Sequence, residues 1–206
     1  MRDSDVRKAL RQRLVADHAG DSDTLIVEEM GVWSGSVRID LAVINGELCG
    51  FELKSDRDTL ARLPLQAELY SRVFDRLVLV VGERHAAKAV AHVPAWWGVI
   101  LAAMEGDSVT LTHSRPPQPN PAPDPYLVAQ LLWREEALAV LTFRGLAKGW
   151  RGKRIKLIHQ RLAAELPFVE LSAHVREALK RRTNWLGNCC AGHLHVPVNA
   201  ELDPSL

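Results

Sequence analysis

The stretch Val37-Arg-Ile-Asp-Leu-Ala-Val-Ile44, followed beyond Asn45-Gly46 by Cys49-Gly-Phe-Glu-Leu-Lys-Ser55, decides the fold. Both segments hold the β-branched and aromatic residues that suit a pleated, half-buried chain, and Asn-Gly between two such runs is a strong short-range hairpin signal. Yet they also carry Asp40, Glu52 and Lys54. An ionised group in a buried strand costs several kcal/mol unless it is paired or binds a metal. Two carboxylates and an ammonium meeting on one patch would suit a divalent cation beside a phosphate.

The hairpin sets a geometric condition. A two-residue Asn45-Gly46 turn pairs Ile44 with Glu47 and puts Asp40 and Glu52 on opposite faces, because side chains alternate along a strand. For the carboxylates to meet, the loop needs an odd number of residues or one strand must bulge, and Gly50 is the expected bulge site.

Working outward, Val6, Leu10, Leu14 and Val15 recur at helical spacing over residues 3–18, with Asp3 or Ser4 able to cap the start. Glu28 and Glu29 precede Gly31. After the hairpin, Leu63 to Phe74 has helical character, with Pro64 marking a start or a kink. Arg76-Leu-Val-Leu-Val-Val-Gly82 reads as a buried, central strand, residues 84–92 as a short helix, Trp97 to Leu101 as a strand, and Asp107 to His113 as an edge strand. Strands alternating with helices give an α/β core with a mixed sheet.

Residues 115–125 contain six prolines in eleven positions and read as an extended spacer. This divides the chain into an α/β domain at 1–114, the linker at 115–125, a helical region at 126–186 and a tail at 187–206. Helical periodicity runs over Tyr126 to Phe143, Lys153 to Leu166 and Leu171 to Arg182. Charge divides in the same way. Residues 1–143 carry 15 Lys/Arg against 20 Asp/Glu, whereas residues 144–182 carry 11 against 3, so the net charge of +1 hides a basic end.

With 206 residues, 47% hydrophobic and 25% charged, the composition is that of a globular protein. No apolar run reaches the roughly 18 residues that span a bilayer, and the first residues are charged, so a cytoplasmic, membrane-free protein is expected. Three cysteines are too few for a disulfide framework. Cys189, Cys190, His193 and His195 offer thiolate and imidazole ligands for zinc, but adjacent cysteines chelate one ion poorly. Trp96 and Trp97 read as packing residues.

Arg38-Ile-Asp40, eleven residues, then Glu52-Leu-Lys54 resembles the active-site hairpin of the PD-(D/E)XK nuclease superfamily, with Ile39 in place of the proline. Gln66-Ala-Glu-Leu-Tyr70 is similar to the Q-x-x-x-Y element of its RecB-type branch, and residues four apart share a helix face. With Asp56-Arg-Asp-Thr-Leu60 and Val80-Val-Gly-Glu-Arg-His85, the stretch from Glu29 to Trp97 resembles a bacterial family of predicted nucleases. The resemblance implies a restriction-endonuclease-like core, Mg²⁺ or Mn²⁺ held by Asp40, Glu52 and the Leu53 carbonyl, and Lys54 assisting the attacking water. It also implies an acidic ligand from a helix ahead of the hairpin, for which Glu29 is the first choice, and Gln66 and Tyr70 facing the substrate. Arg38, Arg57 and Arg62 are candidate phosphate contacts. Phe143 to Leu162 resembles a SAP-like DNA-binding element with Lys148, Arg151, Lys153 and Arg154 as backbone grips.

The expected function is therefore metal-dependent DNA hydrolysis in repair or phage-related processes, by a homodimer or a member of a larger complex. The rival is a DNA-binding scaffold that keeps the fold without cleaving. A blander reading makes Glu52 and Lys54 an edge-strand ion pair on a solvated face, worth little to stability, and Asp40 a partner of Arg38.

Overall fold

A computed structural model describes residues 1–32 and 35–182 and the backbone of 194–195. The elements run α1 (Asp3–Asp17), β1 (Leu25–Val32), β2 (Val37–Ile44), β3 (Leu48–Lys54), α2 (Leu63–Tyr70), β4 (Arg76–Gly82), α3 (Ala86–Val90), β5 (Gly98–Glu105), β6 (Ser108–Arg115), α4 (Pro125–Ala129), α5 (Arg134–Phe143), α6 (Ile155–Glu165), α7 (Phe168–Lys180) and β7 (Leu194–His195). One mixed sheet has the order β6-β5-β4-β3-β2-β1-β7, with β3–β4 and β4–β5 parallel and the other pairs antiparallel. The expected α/β architecture is what forms, with helices on both faces and a helical group at the C-terminal side. The zinc reading at Cys189 to His195 and the 187–206 tail lie outside the described side chains.

Two apolar layers sandwich the sheet. On one face α1 sets Val6, Leu10 and Leu14 against Ile26, Leu41, Val43, Phe51, Leu53, Val78 and Val80. On the other, α2 and the C-terminal helices cover Leu25, Val27, Ala42, Ile44, Leu77, Leu79 and Val81, and Trp97 is fully buried there. Odd and even strand positions serve opposite layers, as the two-residue period requires.

That alternation breaks at one place. Leu41 belongs to the α1 layer and Ile39 to the other, although both are odd; Val27 and Met30 share a layer although their parity differs. The break lies where β1 passes Glu29, a non-glycine residue at φ 53°, and where β2 passes Asp40. Left-handed backbone with a Cβ costs about 1–2 kcal/mol, and such strain gathers at functional sites. Beyond this kink β2 stays paired with β1 but leaves β3, whose antiparallel ladder ends at Leu41↔Phe51.

The hairpin meets its condition by loop length. Ile44 pairs with Leu48 across the three residues Asn45-Gly46-Glu47, where the Asn45 side chain accepts from the Glu47 amide at 3.0 Å. Continuing the register sets Asp40 opposite Glu52. Gly50 pairs regularly with Ala42 and is no bulge. It is glycine because a Cβ there would lie 2.8 Å from Leu77 Cδ2 and 2.9 Å from Phe74 Cδ1, with Ile39 closer still.

Two other expectations change. Tyr126 to Phe143 is two helices, α4 capped by the Asp124 carboxylate and α5, with a break between them. The proline-rich stretch is no free spacer. Asn120 donates to the Ser71 and Phe74 carbonyls at 2.7 and 2.8 Å, and the Gln118 amide donates to Trp96 O at 2.8 Å, so the segment is strapped along the sheet. Residues of α4 to α7 then join the same buried cluster as the strands.

Candidate active site

Where β2 parts from β3, the Leu53 amide loses its ladder partner and donates instead to Asp40 Oδ2 at 2.7 Å. The same gap opens a cavity of about 660 Å³ bordered by Glu29, Arg38, Asp40, Glu52, Leu53, Lys54, Arg62, Gln66 and Tyr70. Nine of the residues singled out by sequence thus line one space, held by β1, β2, β3 and α2.

Glu52 is 1% exposed and Lys54 6%, and Lys54 Nζ donates to Glu52 Oε1 at 2.5 Å. They sit on β3, an interior strand, so the solvated edge-strand reading of this pair is corrected. Glu52 Oε2 is buried with no hydrogen-bond partner. Burial first, and the Asp40 charge second, push the Glu52 carboxyl up to about 7 against the pull of Lys54 and Gln66. Burial also raises Asp40 above the ordinary carboxylate value, opposed by the Leu53 amide, Arg7 and Lys54.

Asp40 is not paired with Arg38 but with Arg7, from α1. Arg7 Nη2 donates to Asp40 Oδ1 at 2.7 Å and Nη1 to Asp40 O at 3.0 Å; Nη1 also lies 3.0 Å from Glu29 Oε1, and Nε 3.4 Å from Asp3 Oδ2. Glu29 reaches the site from strand β1, not from a helix, and Glu28 pairs with Arg11. Arg7 is the residue that reading the sequence missed. Its one signal was a charge four residues after Asp3, between Val6 and the other buried positions of α1.

Tyr70 is fully buried and its hydroxyl donates to Arg38 O at 2.5 Å, fixing the parted end of β2. Its hydroxyl holds protein backbone, and the residue also borders the cavity, as Gln66 does. Gln66 Nε2 lies 3.4 Å from that hydroxyl, and Gln66 Oε1 is buried without a partner. Asp58, in the Asp56-to-Leu60 stretch that the resemblance covers, closes the turn after β3 by accepting from the Ser55 amide and hydroxyl at 2.7 Å and borders the cavity.

Arg38 and Arg62 are exposed at the cavity rim, and Arg57 is exposed on the turn after β3. Lys148, Arg151, Lys153 and Arg154 are all exposed on the connection between α5 and α6, which Arg134 anchors by donating to the Arg151 and Lys153 carbonyls at 2.6 and 2.7 Å. A second cavity, about 540 Å³, is bordered by Arg134, Lys156 and His159 and shares Gly35 with the first.

Among the described residues, no three Asp, Glu, His or Cys side chains gather to hold an ion. What Asp40, Glu52 and the Leu53 carbonyl offer is a small set of hard oxygens, one of them buried and unpartnered. That donor chemistry fits Mg²⁺ or Mn²⁺, ions commonly held by one or two carboxylates with water and phosphate completing the shell.

Fold and site define a mixed α/β protein with a buried acid–lysine pair at a strand divergence. The chain belongs to the family described as Bacteriophage P4 protein cII, whose model matches residues 1–189. Protein cII of Enterobacteria phage P4 is 35% identical over 88 residues, 43% of this chain and 33% of that protein. The match thus spans about a third of the curated relative's length. No solved structure matches the chain.

Proposed function

We propose that this protein is a metal-dependent nuclease that hydrolyses DNA phosphodiester bonds. The observation that carries the reading is the Glu52–Lys54 pair, buried on an interior strand beside Asp40 with Glu52 Oε2 unsatisfied, in the wall of an open polar cavity. Burying these charges costs stability that packing alone does not repay, which is the pattern of a functional site. Asp40, Glu52 and the Leu53 carbonyl would hold Mg²⁺ or Mn²⁺, with Glu29 as a further acidic ligand. The ion would supply Lewis acidity at the phosphate and a more acidic water. Lys54 lowers the Glu52 proton affinity and carries a cationic charge to the cavity, suited to orienting a water or meeting a phosphate oxygen. Tyr70 and Gln66 act behind them, the first by fixing β2 and the second by lowering the Glu52 proton affinity.

Arg38, Arg57 and Arg62 near the cavity, and Lys148, Arg151, Lys153 and Arg154 on the α5–α6 connection, supply sequence-independent phosphate contacts in this reading. Membership of a phage protein family favours a phage-related role, in the cytoplasm where DNA and magnesium meet. No helix among the described residues is long and apolar enough to cross a membrane.

The second reading, a DNA-binding protein that does not cleave, is favoured by one observation: Arg7 already neutralises Asp40 and Glu29. Incubating the protein with linear duplex, single-stranded and supercoiled DNA, and with RNA, in Mg²⁺ or Mn²⁺ separates the two. Cleavage is expected to fall by roughly 10²-fold or more in Asp40→Ala and in Lys54→Ala, with DNA binding retained. Binding without cleavage by the parent protein selects the second reading, and full activity in both variants refutes the assignment.

A further inference from the structure

We propose that Arg7 is a built-in counter-cation of this site and that a divalent ion binds by displacing its guanidinium from Asp40 and Glu29. The inference rests on the metal-dependent reading above. Of the two Asp40 carboxylate oxygens, Oδ2 is spent on the Leu53 amide and Oδ1 on Arg7 at 2.7 Å. The same guanidinium lies 3.0 Å from Glu29 Oε1. Each oxygen keeps a second lone pair, but a guanidinium 2.7 Å from Asp40 Oδ1 and 3.0 Å from Glu29 Oε1 fills the space between the two carboxylates and repels a dication there, so an entering ion and Arg7 contend for the same place. Glu52 stands differently. Its Oε1 accepts from Lys54, and its buried Oε2, near Gln66 and Tyr70, makes no hydrogen bond of ordinary geometry. Glu52 is thus held by Lys54 and by burial, whereas Asp40 and Glu29 are held by Arg7, and it is the arginine that an ion has to displace.

The arrangement also has a use before any ion arrives. Asp3, Glu29, Asp40, Glu52 and Asp58 border one cavity with Arg38, Lys54 and Arg62, and Arg7 is the further cation that brings this lining near charge balance and lessens the repulsion of a phosphate chain. Arg7 is held for this task. Its side chain is only 20% exposed, and although burial opposes its charge, Asp40, Asp3 and Glu29 outweigh that and raise its proton affinity. A planar fork of donors matches several carboxylates together, which a lysine ammonium on a thinner stem does not.

The test is Mn²⁺ titration of the full chain, with free ion read by electron paramagnetic resonance and heat by calorimetry, for the parent, Arg7→Lys, Arg7→Gln and Asp40→Asn. Arg7→Lys keeps the charge and loses the fork, so tighter binding there does not come from a lost positive charge. Mn²⁺ affinity is expected to rise several-fold in Arg7→Lys and roughly tenfold in Arg7→Gln, and to collapse in Asp40→Asn. Should Arg7→Gln fail to fold, Arg7→Lys decides alone. Asp40-dependent binding that is equal or weaker in Arg7→Lys overturns the competition and leaves the metal reading standing. Binding indifferent to Asp40, or none, overturns the metal reading and this inference with it.

Discussion

The Glu52–Lys54 pair is a case where the two charges matter together. Taking both out of water costs more than their attraction repays, yet removing one partner is worse, because the other is left charged and alone in the interior. Without Lys54 the Glu52 carboxyl binds its proton more tightly still, so Lys54→Met is expected to cost progressively more as pH rises from about 7 to about 9, up to about 3–5 kcal/mol, and Glu52→Gln/Lys54→Met to recover more than half of the cost at about pH 9. Urea unfolding of the two variants measures it. A double variant no more stable than the single one would show that the pair carries no such coupling. These residues were legible because charge on an apolar strand is anomalous in any sequence. Arg7 was not, since a charged residue on a helix end looks like any solvated charge until the helix docks and brings it to Asp40, 33 positions away.

At the level of elements, parity did the informative work. The demand that Asp40 and Glu52 share a face required an odd loop or a bulge, and the three-residue loop supplied the first. The kink at Glu29 and Asp40 had no such signal, because φ 53° at a glutamate is imposed by the layers on either side rather than by its own preference. The resemblance implied a helix for Glu29, and the residue lies on β1 instead. Gly50, expected to bend its strand, instead lets α2 and the following turn close over the sheet at Phe74. Gly50→Ala should then destabilise by about 1–3 kcal/mol through overpacking against Leu77, Phe74 and Ile39, and loosen the hairpin that carries Glu52. Equal denaturation midpoints for this variant and the parent would mean the neighbours give way at no cost.

Across the whole molecule, the C-terminal helices complete the core. Arg176 reaches Asp75 at 3.3 Å, Lys180 reaches Asp23 at 2.6 Å, and Leu127, Val128, Leu162, Leu171 and Val175 lie in one buried cluster with the strands. The proline run looked like a boundary because its composition is that of linkers, and composition does not report that Asn120 and Gln118 find carbonyls in the turn after α2 and beside Trp97. A chain ending at residue 124 should lose cooperative unfolding in calorimetry; a sharp transition near that of the full chain would restore the spacer reading.

The join between α6 and the α4–α5 connection gives this core a pH dependence. His159 is 6% exposed, its Nε2 lies 3.0 Å from the Leu132 carbonyl, and that acceptor assigns the proton to Nε2. Burial holds the imidazole below its ordinary value, against the pull of that carbonyl. With the folded value under the unfolded one, about 6.5, the unfolded chain takes up its proton first as pH falls. His159 therefore contributes its full stability above about pH 6.5 and loses it as pH drops toward the folded value, at up to about 1.4 kcal/mol per pH unit. His159→Gln keeps a donor for Leu132 O without a titrating group, so its stability should decline less than the parent's between pH 7.5 and 5.5, as read by urea titration at each pH. An equal decline in both proteins would assign the acid sensitivity to carboxylates elsewhere and leave His159 a packing residue.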